Sequence, residues 1–251
     1  MITLDYSNKV VLITGAGGGM GRLAAEKFAE AGASLALSDI NYDNLKSLQD
    51  TLPVECFIGQ CNVANPEEIE RFTEQAYQHF GRIDVAINNA GILHPQNKLA
   101  DIAIDDIDSQ LTINGRGVFL SMKYELQKMQ QQGSGVILNM SSAAGIFGAP
   151  GASAYAAAKH AVTGMTRSAG LEYARYGIRV NCLCPSFIDS PMVDEFDKNS
   201  SVKKDRLAAA NPMKRLGTMD EVVNTMLWVC SDYNSYMNGQ AIAIDGGLTA
   251  L

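Results

Sequence analysis

Seven short apolar runs, separated by longer stretches of helical character, constrain this chain more than any other feature. They are KVVLIT, SLALS, VECFIGQ, IDVAINNAG, GVILNMSS, IRVNCLCP and QAIAID. Strands that are apolar almost without interruption are buried on both faces. Parallel neighbours among them need a crossover, usually a helix, and that crossover is right-handed. The alternation therefore predicts βαβ units and a doubly wound α/β architecture, a central parallel sheet of about seven strands with helices on both faces. Helices are expected from about Gly19, over 41–51, from Pro66, over 105–131, through the segment around Tyr155 and over 219–231. The third of these opens with Asn65 as cap, Pro66 in the first turn and acids behind it, as a helix N-terminus prefers. No repeat, low-complexity linker or shift of composition interrupts 1–251, so one domain is expected.

Composition narrows the function classes. The 251 residues are 47% hydrophobic and 19% charged, enough to build a substantial core. A formal net charge of −7 and the lack of a basic run argue against nucleic acid. The five cysteines are odd in number and form no CxxC pair, which reads as buried reduced thiols in a reducing compartment. MITLDYSNKVVLITG has neither the basic region nor the apolar length of a signal peptide, and no run approaches a membrane span. A cytoplasmic protein without membrane contact is the expectation.

In a doubly wound sheet, ligands bind beyond the carboxyl ends of the strands. The chemistry should therefore follow the strands directly. TGAGGGMG, residues 14–21, does so after the first strand. Glycines there permit a tight turn and close approach, and the helix that follows offers free N–H groups to a pyrophosphate. The strict G-x-G-x-x-G spacing is absent, and Gly15, Gly19 and Gly21 fit G-x-x-x-G-x-G. Asp39 ends the second strand, placed to accept bonds from an adenine-side ribose and to repel a 2′-phosphate. That favours NAD over NADP; a helix cap or solvated turn acid is the plainer alternative. INNAG, at 87–91, suits a turn whose amides bond backbone or cofactor. In NMSSAAGIFG, Ser141 and Ser142 fall where the sheet opens; a hydroxyl there polarises a carbonyl or caps a turn. In SAYAAAKHAV, Tyr155 and Lys159 are four residues apart on an expected helix and share a face. A free phenol has a pKa of about 10, which a neighbouring cation lowers. No G-x-S-x-G elbow supports serine hydrolysis, and no HExxH or Cys/His set supports a metal. His79 reads as a helix-end cation and His160 as pointing away from Lys159's face. His94 is either a loop residue or the border of a pocket.

Together these motifs resemble the short-chain dehydrogenase/reductase family over nearly the whole chain. T-G-x-x-x-G-x-G is met by Thr14, Gly15, Gly19 and Gly21, N-N-A-G by Asn88 through Gly91, and Y-x-x-x-K by Tyr155 and Lys159. The family serine, thirteen residues before the tyrosine, selects Ser142, and the family's helix asparagine matches Asn114. The resemblance implies a nicotinamide dinucleotide held by Gly15, Gly18, Gly19, Met20, Gly21, Asp39, Ile40, Asn62, Val63, Asn89, Ala90, Gly91, Tyr155, Lys159, Pro185, Ser186, Ile188 and Ser190. Asn62 stands where many relatives carry aspartate, Ser186 where glycine is usual, and Ser190 where threonine is common. Tyr155 is implied as general acid/base, Lys159 as its electrostatic partner and ribose ligand, Ser142 as the group orienting the substrate oxygen. Asn114 is implied to hold a relay water. A lid is expected over 186–217, with Phe187, Met192, Val193, Phe196 and Met213 facing Ile146 and Phe147. With His94, Ser142 and Tyr155 they would receive an apolar or cyclic secondary alcohol; the plainer alternative is that they only pack the lid on the body. The alternatives are an NADP-dependent ketoacyl or carbonyl reductase and a non-catalytic dinucleotide sensor. Small residues on the Tyr155 helix, as relatives use them, imply a homotetramer.

Overall fold

The computed structural model describes residues 4–194 and 203–250. Its elements in chain order are β1 (Val10–Thr14), α1 (Gly19–Glu30), β2 (Ser34–Asp39), α2 (Tyr42–Gln49), β3 (Cys56–Gln60), α3 (Pro66–Phe80), β4 (Val85–Asn88), α4 (Ile104–Gln110), α5 (Val118–Gln132), β5 (Gly135–Met140), α6 (Ser153–Tyr173), β6 (Ile178–Pro185), β7 (Ile188–Asp189), α7 (Lys204–Ala210), β8 (Gly217–Thr218), α8 (Met219–Cys230) and β9 (Ala241–Ile244). Seven strands form one parallel sheet in the order β3-β2-β1-β4-β5-β6-β9. All seven apolar runs supply one strand each. The short β7 and β8 pair separately, a ribbon too brief to leave a sequence period.

Alternation of side chains along each strand separates two cores. Val11 and Ile13 of β1, with Leu35 and Leu37 of β2, pack against Phe28 of α1, Leu45 and Leu48 of α2 and Met226 of α8. Leu12 and Ala36, on the other face, pack with Phe72 of α3, Met122 of α5 and Val162 of α6. Side chains like these each contribute about 1.5–3 kcal/mol on full burial. The helix ends follow their sequence signals. Asn65 accepts N–H bonds from Glu67 and Glu68, and Gly81 closes α3 at φ 73°; Thr218 and Glu221 form a capping box on α8.

The helix expected over 105–131 differs in one respect. Between α4 and α5 the chain widens into a π-helical turn, Leu111–Gly117. Its sequence, LTINGRG, joins two glycines to β-branched residues, all weak helix formers, and such bulges cluster at functional sites. Among the described residues no helix is long and apolar enough to cross a membrane.

The strand order reverses between β1 and β4, and Thr14 pairs with Ser38 on one side and Asn88 on the other. The ends of β1, β2 and β4 are thus level, and the switch point opens a crevice beyond them.

Candidate active site

The glycine turn shapes that crevice. Gly15 has φ +67°, and a Cβ there would meet Ala90 Cα at 2.8 Å; a Cβ on Gly21 would sit 2.1 Å from the Gly15 carbonyl oxygen. Gly21 is therefore packing beneath the turn and does not face the cleft. Gly18, the cap of α1, has no side chain to satisfy the first-turn N–H groups, and the space beside Gly18 and Gly19 is open. Unsatisfied donors and the positive end of a helix dipole thus face open space, which suits a pyrophosphate. Asn89 ties the INNAG segment to the turn, its Nδ2 donating to the carbonyls of Thr14 (3.1 Å) and Gly15 (3.0 Å).

A cleft of about 410 Å³ runs from this turn, walled by Gly15, Gly18, Gly19, Met20, Asp39, Ile40, Asn62, Val63, Asn89, Ala90, Gly91 and Ser190. Asp39 accepts N–H bonds from Gly17 and Asn41, each at 2.8 Å, one on each oxygen. Each oxygen keeps acceptor capacity for a ribose hydroxyl. Ile40, Val63 and Ile113 give the same cleft apolar walls for a base. A nicotinamide dinucleotide fits this set of donors, acceptor and apolar surface. Cys61, Ile113 and Pro191 also line it, and none carries a motif that would have marked it in the sequence.

A second cavity, about 330 Å³, shares Met20, Asn89, Gly91, Ile92, Ser190 and Met192 with the first. Asn114, Ser142, Tyr155 and Lys159 all line it, as do Pro185, Ser186, Phe187 and Ile188. The four polar residues arrive from the π-turn, the end of β5 and α6. Ser141 turns inward, bonded to the Lys159 carbonyl and Thr163 Oγ1, both at 3.0 Å. Ser142, one residue on, accepts the Ala144 N–H at 3.2 Å.

Lys159 is buried, its Nζ donating to the Met140 carbonyl at 2.7 Å and lying 5.6 Å from the centroid of the Tyr155 ring. Burial lowers its pKa to about 8. The expected lowering of the Tyr155 pKa by Lys159 is not what the structure shows. Burial dominates and raises the phenol above its ordinary value, with a hydrogen bond from Ser142 acting against the rise. The ammonium spends its bond on Met140 instead. Asn114 also differs from expectation. Its Oδ1 accepts the Ile92 N–H at 2.9 Å, and its Nδ2 donates to the Ile92 carbonyl at 2.8 Å and to Gln110 Oε1 at 2.5 Å. The side chain anchors the loop after β4, leaving at most one acceptor position for a water. A Cβ on Gly91 would lie 2.8 Å from Asn114 Oδ1 and 3.8 Å from Lys159 Nζ, so both atoms converge on that glycine.

Three expected substrate residues lie off the cavity wall. His94 is buried with Nδ1 against the Pro95 carbonyl at 2.6 Å, and Ile146 ends a short helical turn. Phe147, Phe187, Met192 and Val193 do line the cavity; Met213 does not and is 59% exposed. Phe196 and part of the expected lid lie outside the described residues. Gln96, Ala144, Pro150 and Leu248 are on the wall unannounced, because loop conformation, which no periodicity encodes, brings them there. A larger cavity of about 610 Å³ lies among Lys9, Asp84, Arg179 and Asp232. It opens at the amino ends of β1 and β6, away from the switch point, and Arg179 is spent there on the carbonyls of Val229, Ser231 and Met237.

Comparison with known proteins agrees with this geometry. A family model described as enoyl-(acyl carrier protein) reductase matches residues 15–249. The chain is 38% identical over 258 residues to levodione reductase of Leifsonia aquatica, covering 99% of this chain and 97% of that one. It is 37% identical over 248 residues to cyclohexanol dehydrogenase of Acinetobacter sp. (strain SE19), with 98% and 96% covered. The crystal structure of levodione reductase superposes with a TM-score of 0.94 at 36% identity, over 98% of this chain and 99% of that one. ElxO with NADP bound matches at 0.91 and 30% identity, over 97% and 99%. A 3-ketoacyl-(acyl-carrier-protein) reductase from Brucella melitensis complexed with NADH matches at 0.89 and 28%, over 97% and 99%. Matched along nearly its whole length in sequence and in backbone, the chain belongs to the short-chain dehydrogenase/reductase family and is an oxidoreductase of alcohols and ketones that binds a nicotinamide dinucleotide.

Proposed function

We propose that the enzyme uses NAD(H) and interconverts cyclic, largely apolar secondary alcohols and their ketones, with Tyr155 exchanging the proton. The observation that carries this reading is the pairing of two volumes. A carboxylate, Asp39, lies on the cleft wall and would repel a 2′-phosphate brought against it, and beside the cleft lies a compact chamber with one polar corner. Ser142 and Tyr155 make that corner; Ile92, Leu93, Ala144, Phe147, Phe187 and Val193 line much of the rest. About 330 Å³ is at the small end of ligand pockets, matching a ring better than a long acyl chain. The names of levodione reductase and cyclohexanol dehydrogenase support the same substrate class.

When bound, the dinucleotide supplies or takes the hydride. The protein's part is proton transfer and orientation. Burial keeps the Tyr155 phenol protonated, so the resting side chain is the donor that a ketone oxygen needs in reduction. In oxidation Tyr155 first gives its own proton to solvent, and the phenolate, stabilised by the positive charge that Lys159 holds one turn away, takes the alcohol proton. Ser142 donates to the substrate oxygen and fixes its approach to Tyr155. Asn114, through Ile92, keeps the wall behind them in place. Exposed apolar side chains on α5 and α6, Phe119 and Leu171, support pairing of these helices in a homo-oligomer, which a solution mass would test against the tetramer expected.

Nicotinamide absorbance during oxidation of cyclohexanol and open-chain secondary alcohols, with NAD and NADP in parallel, tests the reading. Turnover of the ring substrates with NAD, falling at least about 100-fold in Tyr155→Phe, is expected. Turnover with NADP alone would overturn the role of Asp39. Activity confined to 3-ketoacyl thioesters would overturn the cyclic substrate.

A further inference from the structure

Beneath the wall between the two cavities runs a buried polar chain that the proposed chemistry does not use. Asn88, the last residue of β4, donates through Nδ2 to Glu125 Oε2 of α5 and to Asn139 Oδ1 of β5, both at 3.0 Å. Asn139 donates onward to Thr166 Oγ1 of α6 at 2.9 Å. Glu125 and Asn88 are each 1% exposed. Two acceptors are left over, Glu125 Oε1 and Asn88 Oδ1, both buried without a hydrogen-bond partner among the described residues. They belong to the two groups that already share one hydrogen bond.

An ionised carboxyl only accepts, whereas a protonated one also donates. A carboxylic acid and a primary amide can make two antiparallel hydrogen bonds. One proton on Oε1 would partner both leftover oxygens at once. Among the described residues no cation offers another solution. On α5, Lys123 lies over Tyr124 and Lys128 pairs with Glu74 of α3. Arg71 of α3 and His160 and Arg167 of α6 are exposed, and His79 of α3 pairs with Glu55. Lys159 of α6 is bonded to Met140. Among the acids of α3, Glu70 acts on Tyr124, while Glu68 bonds the Asn62 N–H and Asn65; β4 and β5 carry no titratable side chain. Burial pushes the Glu125 carboxyl up to about 7, with only the Asn88 amide pulling it down.

We propose that Glu125 is a positioning residue carried as a neutral carboxylic acid, its Oε1 proton shared with Asn88 Oδ1, and that this acid–amide pair fixes the ends of β4 and β5 under the active site. Asn88 and Asn139 are register partners. Of the residues that follow Asn88, Asn89 and Gly91 belong to the wall common to both cavities and Ala90 to the first cleft alone, and the carbonyl of Met140, next after Asn139, holds Lys159. Movement of the pair is transmitted to both. The positioning half rests on the nucleotide-cleft reading above; the protonation half does not.

Three proteins test it: wild type, Glu125→Gln and Glu125→Ala. The Gln variant keeps both hydrogen bonds, since its amide donates at every pH. The infrared difference between wild type and Glu125→Gln at about pH 6 is expected to show the carbonyl stretch of a protonated carboxylic acid, fading as pH rises through about 7. The unfolding midpoint of wild type should fall relative to Glu125→Gln as pH rises from about 4.3, where the unfolded glutamate ionises, to about 7, and the gap should stay level above that. A carboxylate spectrum at pH 6, or a gap independent of pH, overturns the protonated pair. NADH affinity should be the same in wild type and Glu125→Gln at pH 6 and severalfold weaker in Glu125→Ala. As pH is raised past 7, wild type should weaken and Glu125→Gln should not. Unchanged affinity in Glu125→Ala overturns the positioning role. Loss of NADH binding in all three overturns that role together with the cleft reading, while the infrared and unfolding results decide the protonated pair separately.

Discussion

A buried lysine without a carboxylate partner is costly, and among the described residues Lys159 is such a residue: the one hydrogen bond of its ammonium there runs to the Met140 carbonyl. Its pKa falls from 10.5 to about 8, so the folded protein bears a desolvation cost while the ammonium is charged. Lys159→Met should therefore raise the unfolding free energy by roughly 2 kcal/mol at pH 7 while abolishing turnover. The sign follows from the direction of the shift. Below about 8 the lysine is protonated folded and unfolded, and the cost is full; between about 8 and 10.5 the folded form sheds its proton first, and wild type catches up. Denaturant titrations at pH 7 and pH 10 measure the narrowing gap. At this scale the sequence spoke clearly where spacing carried the information. Tyr155 and Lys159 share a helix face, and the offset to the tyrosine separated Ser142 from Ser141. It was silent about Asn114's anchoring bonds and the partner of Lys159, since both depend on carbonyls from distant segments.

Elements show how little room the glycine turn leaves. A methyl on Gly21 would press on the Gly15 carbonyl oxygen, whereas one on Gly18 meets nothing within 4 Å. Gly21→Ala should cost about 1–3 kcal/mol or more, as overpacking does. Gly18→Ala, at an extended φ of −165°, should leave stability within about 0.5 kcal/mol of wild type yet weaken NADH binding, because its methyl enters the anion space. Thermal unfolding with an NADH titration separates the two effects. Strands and most helices were legible because burial on both faces writes apolar runs and caps write Asn, Pro and Gly. The π-turn was not. LTINGRG carries no period of its own, and its geometry is supported by bonds from Asn114 to Ile92 in a loop 22 residues earlier. His94 was equally opaque: its ring turns into the Pro95 carbonyl, a loop choice that local pattern does not record.

Across the whole molecule, one sheet brings segments from residue 14 to residue 248 to the same edge. The topology was readable from the order of strands and helices, and with it the edge where chemistry gathers. The chamber's walls were not, because Gln96 and Pro150 come from two connections and Leu248 from the segment after β9, whose only common property is where the sheet delivers them. The same delivery gives the two cavities a partition in common, built of Met20, Asn89, Gly91, Ile92, Ser190 and Met192. A partition with a face in each chamber makes the first guest part of the container for the second. Bound in the larger cleft as proposed, the dinucleotide would complete a wall of the smaller chamber, so the alcohol should bind tightly only after it, and the ketone should leave before the spent dinucleotide. Initial rates should then give intersecting double-reciprocal lines, with NADH competing against NAD and the ketone showing mixed inhibition against it; lines that meet on the horizontal axis would mean that the two chambers fill without reference to each other.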